Sequence, residues 1–206
     1  MIIEMRTYQL KQHAVQPFEE RFGAALPARL ELSPLAAFWH TEVGVLNQVI
    51  HVWPYADLNE RGRIRAEAIA RGIWPPNTAE FVLDQKSEIL LPAPFSPPLE
   101  PRKLGGIYEI RRYTLAPGQI PTIIERWSRF IDGRVKLSPL VGVWYTELGA
   151  LNNWIHIWAY KDEGERQRIR AEAVARGVWP PRGEPPLTFV RQETTLVVPA
   201  AFSPLN

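Results

Sequence analysis

The chain has 206 residues, with 24 Lys+Arg against 22 Asp+Glu, 46% hydrophobic residues, 20 Pro, 8 Trp and no Cys. That length allows one large or two small domains, and the apolar and charged fractions are those of an ordinary globular chain. The lack of Cys excludes a disulfide framework, a thiolate metal site and a thiol nucleophile, and a net charge of +2 leaves no electrostatic footprint for nucleic acid.

In chain order, the opening MIIEMRTYQL carries Glu4 and Arg6 where a signal peptide would be apolar. It reads instead as a strand, alternating and rich in β-branched and aromatic residues. With no apolar run of roughly 18 residues to span a membrane, the expected compartment is the cytoplasm. After a turn at Gln12-His13 comes a predicted helix with Phe18, Phe22, Leu26 and Leu30 spaced by four on one face. Pro27 is expected to bend it and Ser33-Pro34 to end it. AAFWHTEV and NQVIHVWPY read as the two strands of a hairpin about Gly44. Asp57 and Glu60 form a capping box that opens a second helix through Arg71. Gly72 ends that helix, and Trp74-Pro75-Pro76 forbids its continuation. FVLDQKSEILL is the last strand of the unit.

The same series is then written again. WHTEVGVLNQVIHVWPY from Trp39 returns as WYTELGALNNWIHIWAY from Trp144, and RIRAEAIARGIWPP from Arg63 as RIRAEAVARGVWPP from Arg168. From Ser33 to Pro76, about 28 of 44 positions are identical at an offset of 105. Glu4, Arg6 and Tyr8 match Glu109, Arg111 and Tyr113, and PAPFSP from Pro92 matches PAAFSP from Pro199. Residues 1–95 form the first unit, 96–105 a Pro-rich linker and 106–206 the second. Each unit has the order βαββαβ of a ferredoxin-like fold, whose sheet has one bare face that must be covered. The predicted fold class is therefore α+β, two tandem ferredoxin-like units whose sheets face each other in a barrel-type assembly within one chain. The alternative is a homo-oligomer in which each unit pairs with another chain.

The motifs E-x-R-x-Y in the first strand, W-x-T-E-x-G-x-L-N-x-x-x-H-x-W-x-Y in the hairpin, D-x-x-E-R-x-R-x-R in the second helix and the PAPFSP ending resemble the NIPSNAP domain, here present twice. The resemblance implies a dimeric α/β-barrel fold and no established activity. Relatives of that fold include cofactor-free monooxygenases, haem-binding peroxidases and small isomerases, and fold does not choose among them.

Period-2 alternation groups Asn47, Val49, His51, Trp53 and Tyr55 on one face of the inner hairpin strand, with Asn152, Trp154, His156, Trp158 and Tyr160 as the second copy. In the first strand of each unit Glu4, Arg6 and Tyr8, or Glu109, Arg111 and Tyr113, share a face. These polar and aromatic faces are expected to point at the opposite sheet, around one enclosed space, with the aliphatic faces packed under the helices. One reading is a buried polar network that satisfies itself. The other is a ligand pocket in which His51 or His156 acts as acid or base and Arg6 or Arg111 holds an anionic group, with Tyr8, Asn47, Trp53, Tyr113, Asn152 and Trp158 as contacts.

No metal site is expected, because the four histidines, His13, His40, His51 and His156, show no ligand spacing and a His51–Glu42 pair is a weak alternative. No cofactor is expected either, with haem ligation by a single His the alternative. The Arg-rich second helices read as salt-bridged solvated faces. Glu42 and Glu147 are expected to accept turn N–H groups. Each Trp-Pro-Pro reads as a plug over its helix end or as the gate of a pocket between helices and sheet. The expected function is binding, and as an enzyme cofactor-independent transformation of monooxygenase or isomerase type, of a small hydrophobic or aromatic molecule. The alternative is a non-enzymatic interaction module whose buried His, Trp and Arg residues are structural.

Overall fold

Most strands of this chain carry bulky residues at odd and even positions alike, so they need cover on two faces. The computed structural model describes Met1–Asn206 and supplies both covers. The first repeat runs β1 (Ile2–Leu10), α1 (Val15–Leu30), β2 (Ala37–Val43), β3 (Gln48–Tyr55), α2 (Leu58–Ala70) and β4 (Val82–Pro92). The second runs β5 (Ile107–Leu115), α3 (Ile120–Val135), β6 (Leu140–Leu148), β7 (Asn153–Tyr160), α4 (Glu163–Ala175) and β8 (Phe189–Pro199). Each repeat is a four-stranded antiparallel sheet, and antiparallel β2–β8 and β4–β6 ladders join the two into a closed barrel. The second unit that covers the bare sheet face is thus the chain's own, and closure leaves no strand edge unpaired.

The core has three layers. The barrel interior is filled by Ile3, Met5, Trp39, Ile50, Val52, Tyr108, Ile110, Trp144, Ile155 and Ile157 with their neighbours. The other two layers lie outside the barrel, between each sheet and its own helices. His51 and His156, with Trp53 and Trp158, face these outer layers. The sequence-based assignment of faces is therefore reversed: the aliphatic face lines the barrel, and the polar-aromatic face meets the helices. The reason is partnership. Buried Glu4 and Glu109 need more cations than Arg6 and Arg111 of their own strands supply, and α2 and α4 bring further arginines to them on the helix side.

The helices show a smaller correction of the same kind. In α1 the buried residues are Phe18, Phe22, Leu26 and Arg29, while Leu30 is exposed; in α3 they are Ile123, Trp127, Ile131 and Arg134, with Val135 exposed. At about 100° per residue, eleven residues from Phe18 bring Arg29 back to within about 20° of the same face, whereas a twelfth overshoots to about 120°. A strict spacing of four thus drifts off the face.

Loop chemistry follows the residues. Asp57 and Asp162 cap α2 and α4, accepting the N–H of Glu60 at 2.9 Å and of Glu165 at 2.8 Å. Glu60 and Glu165 reach back to the residues before the caps, Ala56 and Lys161. Gly72 and Gly177 end the helices at φ near +65. Glu42 and Glu147 are exposed, and the turn N–H of Gln48 goes instead to Thr41 Oγ1 at 3.2 Å.

The PAPFSP and PAAFSP segments change repeats. Phe95 packs with the outer core of the second repeat, and Phe202 stacks on Phe22 of the first at 5.7 Å. Ser96 Oγ accepts the N–H of Val143, and Ser203 Oγ that of Phe38. Each repeat thus closes the outer layer of the other.

Candidate functional site

In β1 and β5 alternate residues Glu4, Arg6, Tyr8 and Glu109, Arg111, Tyr113 project to the helix side, opposite His51 and Trp53, or His156 and Trp158, on the neighbouring strand. In the second repeat these groups border a cavity of about 270 Å³ between the sheet and α3/α4. Tyr160, Arg134 and Gln192 complete its polar wall, and Ala173, Val174, Trp179 and Pro180 its apolar one. The cavity therefore lies on the outer, helix side of one sheet, and not in a space shared between the sheets.

At the floor sits Glu109, fully buried, accepting from Arg166 at 2.7 Å and from Arg111 and Arg170 at 3.0 Å. Burial alone would raise its pKa, but the Arg166 hydrogen bond and the surrounding guanidinium charges hold it below the ordinary carboxylate range. In the first repeat Glu4 accepts from Arg61, Arg6 and Ser87, and its pKa falls to about 2 against the same burial penalty. Arg61, Arg166 and Arg170 thus turn inward from α2 and α4, while Arg63, Arg71 and Arg176 make the solvated i,i+4 pairs expected of the whole face.

Both imidazoles are held alike. Trp53 Nε1–H donates to His51 Nδ1, and Trp158 Nε1–H to His156 Nδ1, each at 2.7 Å. An accepting Nδ1 leaves the proton on Nε2, and each Nε2 is buried without a protein partner. Burial, aided by the Arg6 charge, lowers the His51 pKa to about 3, and burial with Arg111, Arg134 and Arg170 lowers that of His156 well below its ordinary value. Both rings are therefore neutral near pH 7, N–H donors through Nε2. Tyr8 and Tyr113 stand edge-on to them at about 5 Å between centroids.

Arg6 and Arg111 are already engaged within the chain, each giving Nε to its tyrosine hydroxyl and Nη1 to its glutamate. Two other arginines, absent from the sequence reading, complete the site: Arg29 and Arg134. Arg134 donates to Ser138 Oγ at 2.8 Å and Tyr160 OH at 3.0 Å and lies 4.0 Å over the Trp158 ring; Arg29 does the same with Ser33, Tyr55 and Trp53. Their signal in the sequence is a charged residue at the eleventh position of a helix face that is otherwise apolar.

Asn47 and Asn152, by contrast, are not in the site. Both precede their strands, close the hairpin turns at φ +58, and accept through their carbonyls the N–H of Leu10 and Leu115. His40 is also elsewhere, bonded to Glu19 at 2.8 Å, a contact that raises its pKa. Trp74 and Trp179 close over Phe22 and Trp127 respectively, edge-on, and Trp179 also borders the cavity, so it serves as both plug and wall. A cavity of this size beside an enclosed imidazole does not fit a haem macrocycle.

A sequence model of the NIPSNAP family matches residues 3–97 and 108–204, nearly the whole chain. The chain belongs to the NIPSNAP family. Protein NipSnap homolog 3B of Homo sapiens is 31% identical over 213 residues, covering 98% of this chain and 85% of that protein. A NipSnap homolog of Dictyostelium discoideum is 29% identical over 182 residues, covering 86% and 78%. Among solved structures, a candidate monooxygenase of Fusobacterium nucleatum superposes with a TM-score of 0.63 at 8% identity, over 96% of this chain and 91% of that one. An anthrone oxidase-like protein superposes with a TM-score of 0.59 at 8% identity, over 98% and 93%. At such identities the likeness is one of fold alone. It shows that this NIPSNAP protein has the mixed α+β, dimeric α/β-barrel-type fold, built from its two repeats.

Proposed function

We propose that this NIPSNAP protein binds a small aromatic molecule in the space between sheet and helices, with the second repeat's cavity as the principal site. One observation carries the reading. Of the 13 residues that line the cavity, all but one have an identical counterpart in the first repeat; the exception is Val174 against Ile69. The packing beside them has partly drifted: Phe18, Phe22, Leu26, Phe38 and Val49 stand where the second copy has Ile123, Trp127, Ile131, Val143 and Trp154, while Leu10, Leu35 and Ile64 are kept. Apolar packing tolerates such exchange as long as volume is kept, whereas a recognition surface does not. An enclosed recess with convergent polar groups beside an apolar wall suits a small ligand. His156, with its Nε2 sealed away, would border the recess as a neutral ring and not as a proton shuttle.

The test is crystallographic soaking with a library of one- to three-ring aromatic fragments, paired with the variant Val174→Trp. Density against Trp179 and Tyr113 in the parent, lost in the variant, is the expected result. Fragments that settle only elsewhere would make the retained residues a structural network and move the function to the surface.

A further inference from the structure

We propose that the ligand of this pocket is an aromatic carboxylate whose carboxylate is bound by Arg134 and Arg170. The inference rests on the small-molecule reading and adds the charge of the ligand and the residues that recognise it.

Charge balance points to an anion. Four guanidinium groups, Arg111, Arg134, Arg166 and Arg170, converge on this site, and Glu109 is the one carboxylate they share. Arg111, Arg166 and Arg170 each bond it directly. Arg134 does not. It is only 3% exposed, and its two hydrogen bonds go to the neutral hydroxyls of Ser138 and Tyr160. A guanidinium cannot shed its proton in a protein, so this is a permanent charge, withdrawn from water, with no bonded anion. Burial of such a charge is unfavourable unless it is paired.

The first repeat repeats the feature: Arg29 is 2% exposed and bonds only Ser33 and Tyr55. An arginine kept for packing alone would be replaceable by a neutral residue in one copy or the other. Two copies, both buried and both without a carboxylate, call for an anion from outside the chain.

The shape of the cavity says what kind. Arg134 and Arg170 both border it, and Arg170, 42% exposed at the side chain, reaches Glu109 with Nη1 while its Nη2 makes no bond to Glu109. Planar forks of this type match a carboxylate in two-point contact. Trp179, Pro180 and Val174 form the apolar wall against which a flat ring would lie. About 270 Å³ suits one to two fused rings and not a long chain.

The experiment is calorimetric titration of the intact protein with benzoate, 1-naphthoate and 2-naphthoate, and with the primary amide of each. The amides keep size and planarity but lose the charge. The expected result is that at least one acid binds and that its amide binds about tenfold or more weakly. In Arg170→Gln, whose site lies at the exposed rim, the acid-to-amide ratio is expected to fall about tenfold; Arg134→Gln, checked for folding by circular dichroism, should act in the same direction. Equal binding of acid and amide would overturn the carboxylate assignment while leaving the pocket reading intact. A ratio unchanged in both folded variants would overturn the two arginines as the clamp. Failure of all six compounds to bind would bring down the pocket reading and this one with it.

Discussion

His51 and His156 are unusual in being wholly buried, uncharged and surrounded by guanidinium groups. This has a consequence for stability. Unfolding returns His51 from a pKa of about 3 to 6.5, so below 6.5 the unfolded chain binds a proton that the folded chain refuses. Stability must then rise with pH through that window and fall on acidification. Glu4, lowered from 4.5 to about 2, adds a loss of the same sign, but only below 4.5. His40 has a raised pKa; its contribution is present in full below 6.5 and is lost as pH rises through its folded value. The interval from pH 6.5 to 4.5 therefore isolates the two buried histidines. His51 should contribute a loss of about 2 kcal/mol there and His156 a further loss of the same sign, read as a falling urea midpoint that His51→Gln makes smaller. A drop of equal size in the variant would mean that His51 is not held neutral.

At this scale the sequence placed the strand residues well. Alternation alone brings Glu4, Arg6 and Tyr8 beside Trp53 and His51. It could not say on which side of the sheet they lie, because both faces are covered. Nor could it place Asn47, which the turn removes from the strand by one residue.

Elements are where the duplication is most legible and its purpose least so. The FSP segments are visible as a repeated ending. Nothing in one copy tells that Phe95 and Phe202 serve the opposite repeat, since that exchange depends on barrel closure. Ser203 illustrates what the exchange contributes. Its hydroxyl accepts the Phe38 N–H at 2.9 Å and donates to the Leu205 carbonyl at 2.8 Å, all buried. Ser203→Ala leaves a buried donor and a buried acceptor unmet, at a cost of about 2 kcal/mol. The loss falls on the first repeat, although the mutation lies in the second. Hydrogen exchange should therefore show faster exchange at Phe38 in β2 than in the parent. Protection lost only around residues 200–206 would refute a tail that holds the other repeat.

For the whole molecule, the question is what fixes one repeat against the other when each could pair with its own kind. Closure of two sheets into a barrel was legible from the bare face that each ferredoxin-like unit presents. The device that makes the two halves unequal was not. Arg112 in β5 donates to both Glu88 oxygens in β4, at 2.9 and 2.7 Å, and these strands are not neighbours in the barrel. The pair therefore spans the interior, with Glu88 1% and Arg112 18% exposed at the side chain. At the matching positions stand Thr7 and Thr195, which carry no charge. Pairing of two first repeats would place two Glu88 carboxylates in one interior, each with only its half-exposed neighbour Lys86 at 3.1 Å, and of two second repeats two Arg112 guanidinium groups facing only Thr195. Only the mixed pairing neutralises both, so the ion pair specifies the partner as much as it stabilises the contact. In the intact chain, Glu88→Thr strands the Arg112 charge and should cost about 2–4 kcal/mol, less than a fully buried pair would because Arg112 keeps some contact with water, and Arg112→Thr should cost less still because Lys86 stays paired with Glu88 at 3.1 Å. The double variant places threonine at both positions, as the chain already does at Thr7 and Thr195. It should return to within about 1 kcal/mol of the parent in urea unfolding, a coupling that a double-mutant cycle reads directly. Additive losses in the double variant would show that the two side chains act independently, and that the pairing of the repeats is set by the apolar interior alone.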